Sequence, residues 1–403
     1  MTFRAKTFRK IDTVLSALAV VTLINSPHMS GQARIWTDSL GRNYEYTPHS
    51  PALLAGLELE FSSEATLALA EASRALGSVT PFPMSGIAAV LYRSESSASS
   101  LIEGVGPGPR RILEAEFAGD AEVNDEAARR VVGNLEALQA AVATPVPASV
   151  GDMLEWHRLL MEGHPRMRPE TVGALRTQQN WIGGGSFGPA DAEYIPPAPE
   201  EVPGLLADLV DFSARTDLTP VALAALAHAQ FEVIHPFVDG NGRVGRVLLQ
   251  QVLVRRAGLV APVPVSIPWS RDTDRYISAL RSFQDGDVES WILFASWSVI
   301  QAVGWMNETT ERVSELLDQV RSRVETRGRS VAARVIEDLP LHPIVDTQTV
   351  AQRYDVTPQT AHEALMRLSE AEILFERSLT RRKKGRPRRV FAARELIDLL
   401  SSR

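Results

Sequence analysis

Residues 235–246 read His-Pro-Phe-Val-Asp-Gly-Asn-Gly-Arg-Val-Gly-Arg, and no other stretch limits the fold so sharply. Helical spacing at Ala224, Ala227 and Phe231 leads into it, and Pro236 must end that helix because the residue before a proline is disfavoured in helical geometry. Gly240, Asn241 and Gly242 are residue types that accept a left-handed backbone, and helical patterning returns at once over 242–257. Two helices therefore meet across a tight loop. Backbone amides in such a loop converge into a nest for phosphate oxygens, and the second helix adds the positive end of its dipole. Arg243 and Arg246 share a helix face from which both fork onto further phosphate oxygens, and Gly245 is assigned to the same phosphate-binding turn. Asp239 suits an anion pocket only with a cation between it and the phosphates, for which hard, oxygen-preferring Mg²⁺ is the natural choice. His235 is the one nearby group whose ordinary pKa lets it take a proton near neutral pH.

The rest of the chain supplies a mostly helical setting. Apolar periodicity marks helices over 51–75, 95–104, 122–144, 150–161, 203–215, 219–234, 272–282 and 287–327, while β signals are few and short. Hydrophobic residues at 44% and charged residues at 23% sit near globular averages, which excludes global disorder and a multispan membrane protein. The chain has no cysteine, so disulfides, thiolate zinc sites, iron–sulfur clusters and cysteine nucleophiles are excluded. Net charge is −7, yet seven cations crowd into the nine residues 381–389, RRKKGRPRR, so a mildly acidic body carries one basic stretch. Residues 1–28 hold four early cations and an apolar run at 14–24 that is too short to span a bilayer and is followed by no small-x-small cleavage site. They are expected to be a disordered leader, or to precede a true start at Met29, in a cytoplasmic protein with no membrane partner. Val313, Leu317, Val320 and Val324 offer a short dimer seam, although packing of an ordinary helix on its own domain is the favoured reading.

The run at 235–246 is similar to the pattern HPF-x-[DE]-GN-GR-xx-R that defines the Fic (Fido) family, with every fixed position met. A looser resemblance covers about 90–300, through Leu160, the Gly-Ala-Leu-Arg stretch at 173–176, Ser266, Tyr276 and Trp291. The resemblance implies a mainly α fold, a Fic-type helical bundle with a short β-hairpin flap. It also implies transfer of AMP from Mg·ATP to a Ser, Thr or Tyr hydroxyl of a target protein, with release of pyrophosphate. Carried over by position, His235 is the base, Asp239 holds Mg²⁺, Asn241 and Gly242 cradle phosphate, and Arg243 and Arg246 bind the triphosphate, Arg246 at its terminal end. Residues 176–196 take the place of the flap that registers the target by strand pairing. There the glycines from 183 onward give mobility, and Trp181, Ile182 or Tyr194 clamp the incoming side chain.

Residues 99–104, Ser-Ser-Leu-Ile-Glu-Gly, resemble the family's inhibitory pattern of Ser or Thr, three residues, Glu, then Gly or Asn. On this reading Ser99, Glu103 and Gly104 form an inhibitory element in which Glu103 pairs with Arg246, since one guanidinium cannot serve a carboxylate and a phosphate together. The same glutamate leaves open removal of AMP rather than its addition. Beyond 335, a helix near 347–353, a turn at 354–356 and a second helix started by Thr357 and Pro358 look like a winged helix-turn-helix, with wing strands at 373–375 and 390–391. Gln359, Thr360 and Arg367 on the second helix, and Arg381, Arg382, Lys383 and Lys384 on the wing, are the candidate DNA contacts.

The resulting organisation is a leader at 1–28, an N-terminal helical region at 29–120 with the inhibitory helix around 95–104, a catalytic core at 121–305, a helical linker at 306–334 and the winged helix at 335–403. The leading expectation is a self-inhibited protein adenylyltransferase. The alternatives are a nucleotide-sensing, DNA-binding transcriptional regulator, or a Fic enzyme that removes AMP or transfers another phosphate-containing group. A homodimer is open.

Overall fold

The computed structural model describes residues 32–38, 40–79, 85–119, 125–184, 188–324, 328, 330–379 and 388–401. The leader and the four wing cations, Arg381, Arg382, Lys383 and Lys384, fall outside them. The first described elements are strands, not helices: β1 (Arg34–Thr37) and β2 (Asn43–Tyr46) pair antiparallel with Trp36 opposite Tyr44. Period-two alternation puts Trp36, Tyr44 and Tyr46 on the half-buried side, and Gly41 turns the hairpin at φ 76°. The expected helix over 51–75 begins only at Ser63, as α1 (Ser63–Gly77), because the Ser62 hydroxyl accepts the Ala65 N–H and sets the helix start there.

Next come α2 (Ser85–Ile102), α3 (Pro109–Ala118), α4 (Glu126–Ala143), α5 (Val150–Met161), α6 (Val202–Ser213), α7 (Pro220–Ile234) and α8 (Asn241–Ala257). They are followed by α9 (Ser266–Arg271), α10 (Thr273–Gln284) and the long α11 (Val288–Ser322). The Pro220 start, the Thr219 cap and a run of alanines make α7 a helix that is apolar on nearly every side, so it sits at the centre of the bundle. Its partner α8 is buried from Asn241 to Val254 apart from Gly242, and it carries Arg243, Arg246 and Gln250 into the core on one stripe. The loop at 235–240 joins these two central helices, so the core itself fixes the loop. A close crossing of α4 and α5 supports α8 from outside. A methyl group at Gly133 would stand 2.9 Å from the Leu159 carbonyl oxygen, which backbone cannot yield cheaply. Gly133→Ala should therefore lower stability by about 1–3 kcal/mol, read as a fall in melting temperature with the circular-dichroism spectrum unchanged.

Toward the C-terminus, α12 (Val331–Asp338), β3 (Ile344–Val345), α13 (Thr347–Tyr354), α14 (Pro358–Glu370), β4 (Phe375–Leu379), β5 (Arg388–Ala392) and α15 (Arg394–Ser401) form a small unit. Its sheet has the order β3-β5-β4, all antiparallel. Asp346 and Thr349 form a capping box on α13, Asp355 turns the chain at φ 53°, and Thr357 caps α14. Val313, Leu317 and Val320 of α11, with Val324, are buried in one cluster with Val335, Val350, Leu365 and Leu396. The heptad-like seam is thus spent within the chain and is not left for a partner. No helix among the described residues is long and apolar enough to cross a membrane.

Candidate active site

The helix α7 ends at His235, which takes the left-handed conformation, φ 50° and ψ 60°, with its N–H on the Phe231 carbonyl. A side chain there is strained, and the surroundings hold it in place. Arg176, buried at 2% exposure, donates from Nε to the His235 carbonyl at 2.7 Å and from Nη2 to the Pro197 and Ile234 carbonyls at 2.6 and 3.3 Å. The His235 and Ile234 carbonyls lie at the negative end of α7, where a cation is favoured, although burial pushes the guanidinium pKa down to about 10. Asn180 Nδ2 donates to the Phe237 carbonyl at 2.8 Å. His157 on α5 stacks on Phe237 with ring centroids 4.0 Å apart, accepts the Gly173 N–H at Nδ1, and therefore carries its proton on Nε2, 3.0 Å from the Asp239 carbonyl. Burial lowers the His157 pKa to about 4, so the ring is a neutral strut beneath the loop.

The structure corrects the assignments within the loop. Of Gly240, Asn241 and Gly242, Gly240 alone is left-handed, at φ 83°, while Asn241 and Gly242 already belong to α8. The Asn241 side chain spans the loop, accepting the Phe237 N–H and donating to the Phe237 carbonyl, both at 2.8 Å, so its oxygen and one amide N–H are spent on the loop itself. Gly245 does not face phosphate either. It faces α7, where a methyl group would collide with Glu232 and stand 3.1 Å from His228 Nδ1, and it serves the close approach of the two central helices. The backbone amides at the start of α8 and the two arginines remain as the anion-binding set. Arg243 is buried, and its Nε and Nη1 lack a hydrogen-bond partner among the described residues.

Arg246 is 1% exposed, and its Nε and Nη2 are engaged by the end of α2. It donates from Nε to Ser99 Oγ at 2.8 Å, and from Nη2 to the Ser99 carbonyl at 2.9 Å and Glu103 Oε1 at 2.8 Å. The glutamate lies over Gly242, whose lack of a side chain admits it, so a carboxylate rests on the positive end of α8. Burial raises the Glu103 pKa, but the Arg246 guanidinium outweighs it and the carboxyl ends below its ordinary range. Gly104 ends the element at φ 73°.

A cavity of about 600 Å³ opens beside this pair and brings together Glu103, Glu232, His235, Gly242, Arg246 and Tyr276. Burial and then the Arg176 guanidinium push the His235 pKa down to about 4, so its imidazole is neutral at physiological pH. Ile182 and Tyr194 border the cavity and form one isolated antiparallel bridge, with N–H to carbonyl distances of 3.0 and 3.1 Å, within the segment expected to be the flap. Gly183 and Gly184 adopt φ 73° and 69°, backbone conformations that favour glycine at both positions. Trp181 departs from its expected role. It packs edge-on against Tyr46 at 4.9 Å and near Trp36 at 6.1 Å, anchoring the flap to the N-terminal hairpin and not lining the cavity. Tyr194 points inward, its hydroxyl donating to the Val233 carbonyl at 2.8 Å.

Asp239 is exposed, with Oδ1 accepting the Gly240 N–H at 2.6 Å. Among the described residues no group of three or more His, Asp or Glu side chains could hold a metal. One exposed carboxylate fits a Mg²⁺ that would arrive with phosphate oxygens and water, and does not fit a resident metal cage. On α14, Gln359 and Thr360 are exposed but already bonded, to Glu363 at 3.0 Å and Thr357 at 2.9 Å, and Arg367 is exposed.

His157, Asn180 and Glu232 carried no sequence signal. Glu232 lies one helical turn before His235, and burial raises its pKa to about 8, so it borders the cavity as a neutral acid near neutral pH. Arg176 was visible only as part of a looser resemblance.

Residues 147–253 match the Fic/DOC family. Over 191 residues the chain is 31% identical to Protein adenylyltransferase Fic of Drosophila willistoni, covering 46% of this chain and 35% of that protein. It is 29% identical over 233 residues to the protein of the same name in Drosophila sechellia, covering 53% and 44%. The matches thus span less than half the length of these curated relatives. A Fic family protein from Desulfovibrio desulfuricans G20 shares the fold, with a TM-score of 0.52 at 19% identity over 83% of this chain and 97% of that one.

Proposed function

We propose that this chain, which carries a Fic/DOC domain at its centre, is a cytoplasmic protein adenylyltransferase that modifies a Ser, Thr or Tyr hydroxyl of a target protein. The observation that carries the reading is one cavity holding a neutral, half-buried imidazole, the start of α8 and Arg246, bordered by the bridged pair Ile182 and Tyr194. ATP lies with its phosphates over the first turn of α8. Arg243, whose two unpartnered donors are costly to bury without an acceptor, takes phosphate oxygens. The target hydroxyl, set in place by the bridged pair Ile182 and Tyr194, attacks the α-phosphorus as its proton passes to His235. The bond from the α-phosphorus to the β-bridging oxygen breaks, and pyrophosphate leaves. Asp239 would hold a Mg²⁺ bound with the nucleotide, which would supply neutralisation of the phosphate charge. The chemistry asks for positioning and charge compensation and not for a covalent enzyme intermediate.

Glu103 acts as the inhibitor by standing where the terminal phosphate must meet Arg246. We read the C-terminal unit as a winged helix-turn-helix that binds DNA. The α13–turn–α14 arrangement, the three-stranded sheet and the exposed Gln359, Thr360 and Arg367 support that reading.

Labelled donors test the reaction. With Glu103→Gly protein, label from α-labelled ATP should enter protein while label from γ-labelled ATP should leave as pyrophosphate. Incorporation of the γ label instead would make the enzyme a kinase and sink the proposal.

A further inference from the structure

The helix that carries the inhibitory element is held on two sides. Toward the catalytic bundle, α2 is fixed by Ser99 on Arg246, by Asn134 Nδ2 on the Ser96 carbonyl at 3.0 Å, and by Glu95, which is bonded to the Ser266 N–H and hydroxyl at 3.0 and 2.6 Å. Toward the C-terminal unit it is fixed by Arg93. This guanidinium, 8% exposed, binds Glu116 of α3 at 2.8 and 2.9 Å, the Pro340 carbonyl at 2.8 Å and the Leu341 carbonyl at 2.7 Å, so all three of its nitrogens are spent. Ile87 and Leu91 of the same helix are buried in one cluster with Val335, Val350 and Leu365 of the C-terminal unit. At Gly86 the contact is so close that a methyl group would stand 2.8 Å from Pro340 Cβ. Glu103 is ten residues beyond Arg93, or about 15 Å along the helix axis.

A second link runs parallel to the first. The long α11 starts against α7, where Trp291 Nε1 donates to the Ala225 carbonyl at 2.9 Å, and ends with Val313, Leu317 and Val320 in the C-terminal cluster. The unit is also attached at α3, where Leu113 is buried with Ile344, Val390 and Ile397, and Arg93 ties α3 to α2 through Glu116. A displacement of that unit about α11 is therefore taken up at α2 and α3 together, because packed helices slide in discrete steps and do not stretch.

We propose that the C-terminal unit sets how firmly Glu103 occupies Arg246, with Arg93 as the positioning residue that joins the two. The proposal rests on the inhibitory reading of Glu103 given above. Whatever binds the C-terminal unit then changes ATP affinity, and by linkage ATP changes the affinity of that ligand by the same factor.

A double-mutant cycle separates coupling from simple structural support. Binding of α-labelled Mg·ATP is measured on the full chain carrying Arg93→Ala or Gly86→Ala, each with Glu103 and with Glu103→Gly. Both substitutions should tighten ATP binding about tenfold, within the usual range of coupling, when Glu103 is present. They should change it by less than about twofold when Glu103 is glycine, because Arg246 is already released. Gly86→Ala wedges the same contact without removing a charge, so it answers the question if Arg93→Ala folds poorly. Equal changes in both backgrounds, or none with Glu103 present while Glu103→Gly itself tightens binding, would overturn the coupling and leave the reading of the site intact. No tightening by Glu103→Gly itself would overturn the reading of the site, and the coupling with it.

Discussion

Replacing Glu103 by glycine should tighten ATP binding about 100-fold and raise AMP transfer by a similar factor at subsaturating ATP. The expectation follows from what Arg246 touches. Its three hydrogen bonds all go to the end of α2, and only the one to Glu103 Oε1, at 2.8 Å, is made to a charge. A hydrogen bond between charged partners is worth about 1.5–3 kcal/mol. At the upper end that leaves the released state near 1% of molecules, and apparent affinity falls by the same fraction. Acidification should not imitate the substitution. The guanidinium holds the Glu103 carboxyl below its ordinary range, so the pair stays ionised as pH falls through the values at which free glutamate would protonate. Ser99→Ala should act more weakly, because the Ser99 carbonyl still accepts from Nη2. Glycine next to Gly104, which already turns at φ 73°, leaves the helix end intact. ATP affinity unchanged within twofold in well-folded Glu103→Gly protein would show that the pair does not gate the site.

Much of this site was legible because its chemistry is local in sequence. Pro236, Gly240 and the charges at 239, 243 and 246 fix a helix end, a turn and a helix start within twelve residues, and the structure builds that arrangement. The same reasoning failed where side chains act over long separations. Gly245 and Asn241 look like phosphate residues from their neighbours in sequence, yet one admits α7 and the other ties its own loop. Arg176 reaches the His235 carbonyl and His157 reaches Asp239 from elements 59 and 82 residues away, and nothing in their own surroundings announces a partner. The β1–β2 hairpin was missed because its alternating aromatics are few. They became meaningful only against Trp181, which its place in the flap had marked as a clamp for the incoming side chain.

In the Glu103→Gly background, His235→Ala should cut AMP transfer by about 10³-fold, the middle of the range for a general base, while ATP affinity changes by less than about twofold. The split arises because the imidazole is asked only to take a proton, whereas the phosphates rest on α8, Arg243 and Arg246. The backbone at 235 should survive the substitution, since Arg176 Nε holds its carbonyl at 2.7 Å and the Phe231 carbonyl holds its N–H at 2.9 Å. The pH profile gives a second, independent reading. Burial and the nearby Arg176 charge lower the His235 pKa to about 4, so the neutral, proton-accepting form prevails above that pH and is lost as pH falls through it. The acid limb of kcat/KM, which reports the free enzyme, should therefore lie well below the ordinary histidine value of about 6.5. A limb near 6.5 would mean that His235 is solvated, with the Arg176 clamp released. An unchanged rate in His235→Ala would mean that the target hydroxyl loses its proton to some other group. A base lowered this far is a weaker proton acceptor, and it gains by never having to shed a proton before the hydroxyl arrives. That balance suits a transfer step in which charge compensation at the phosphates does most of the lowering of the barrier.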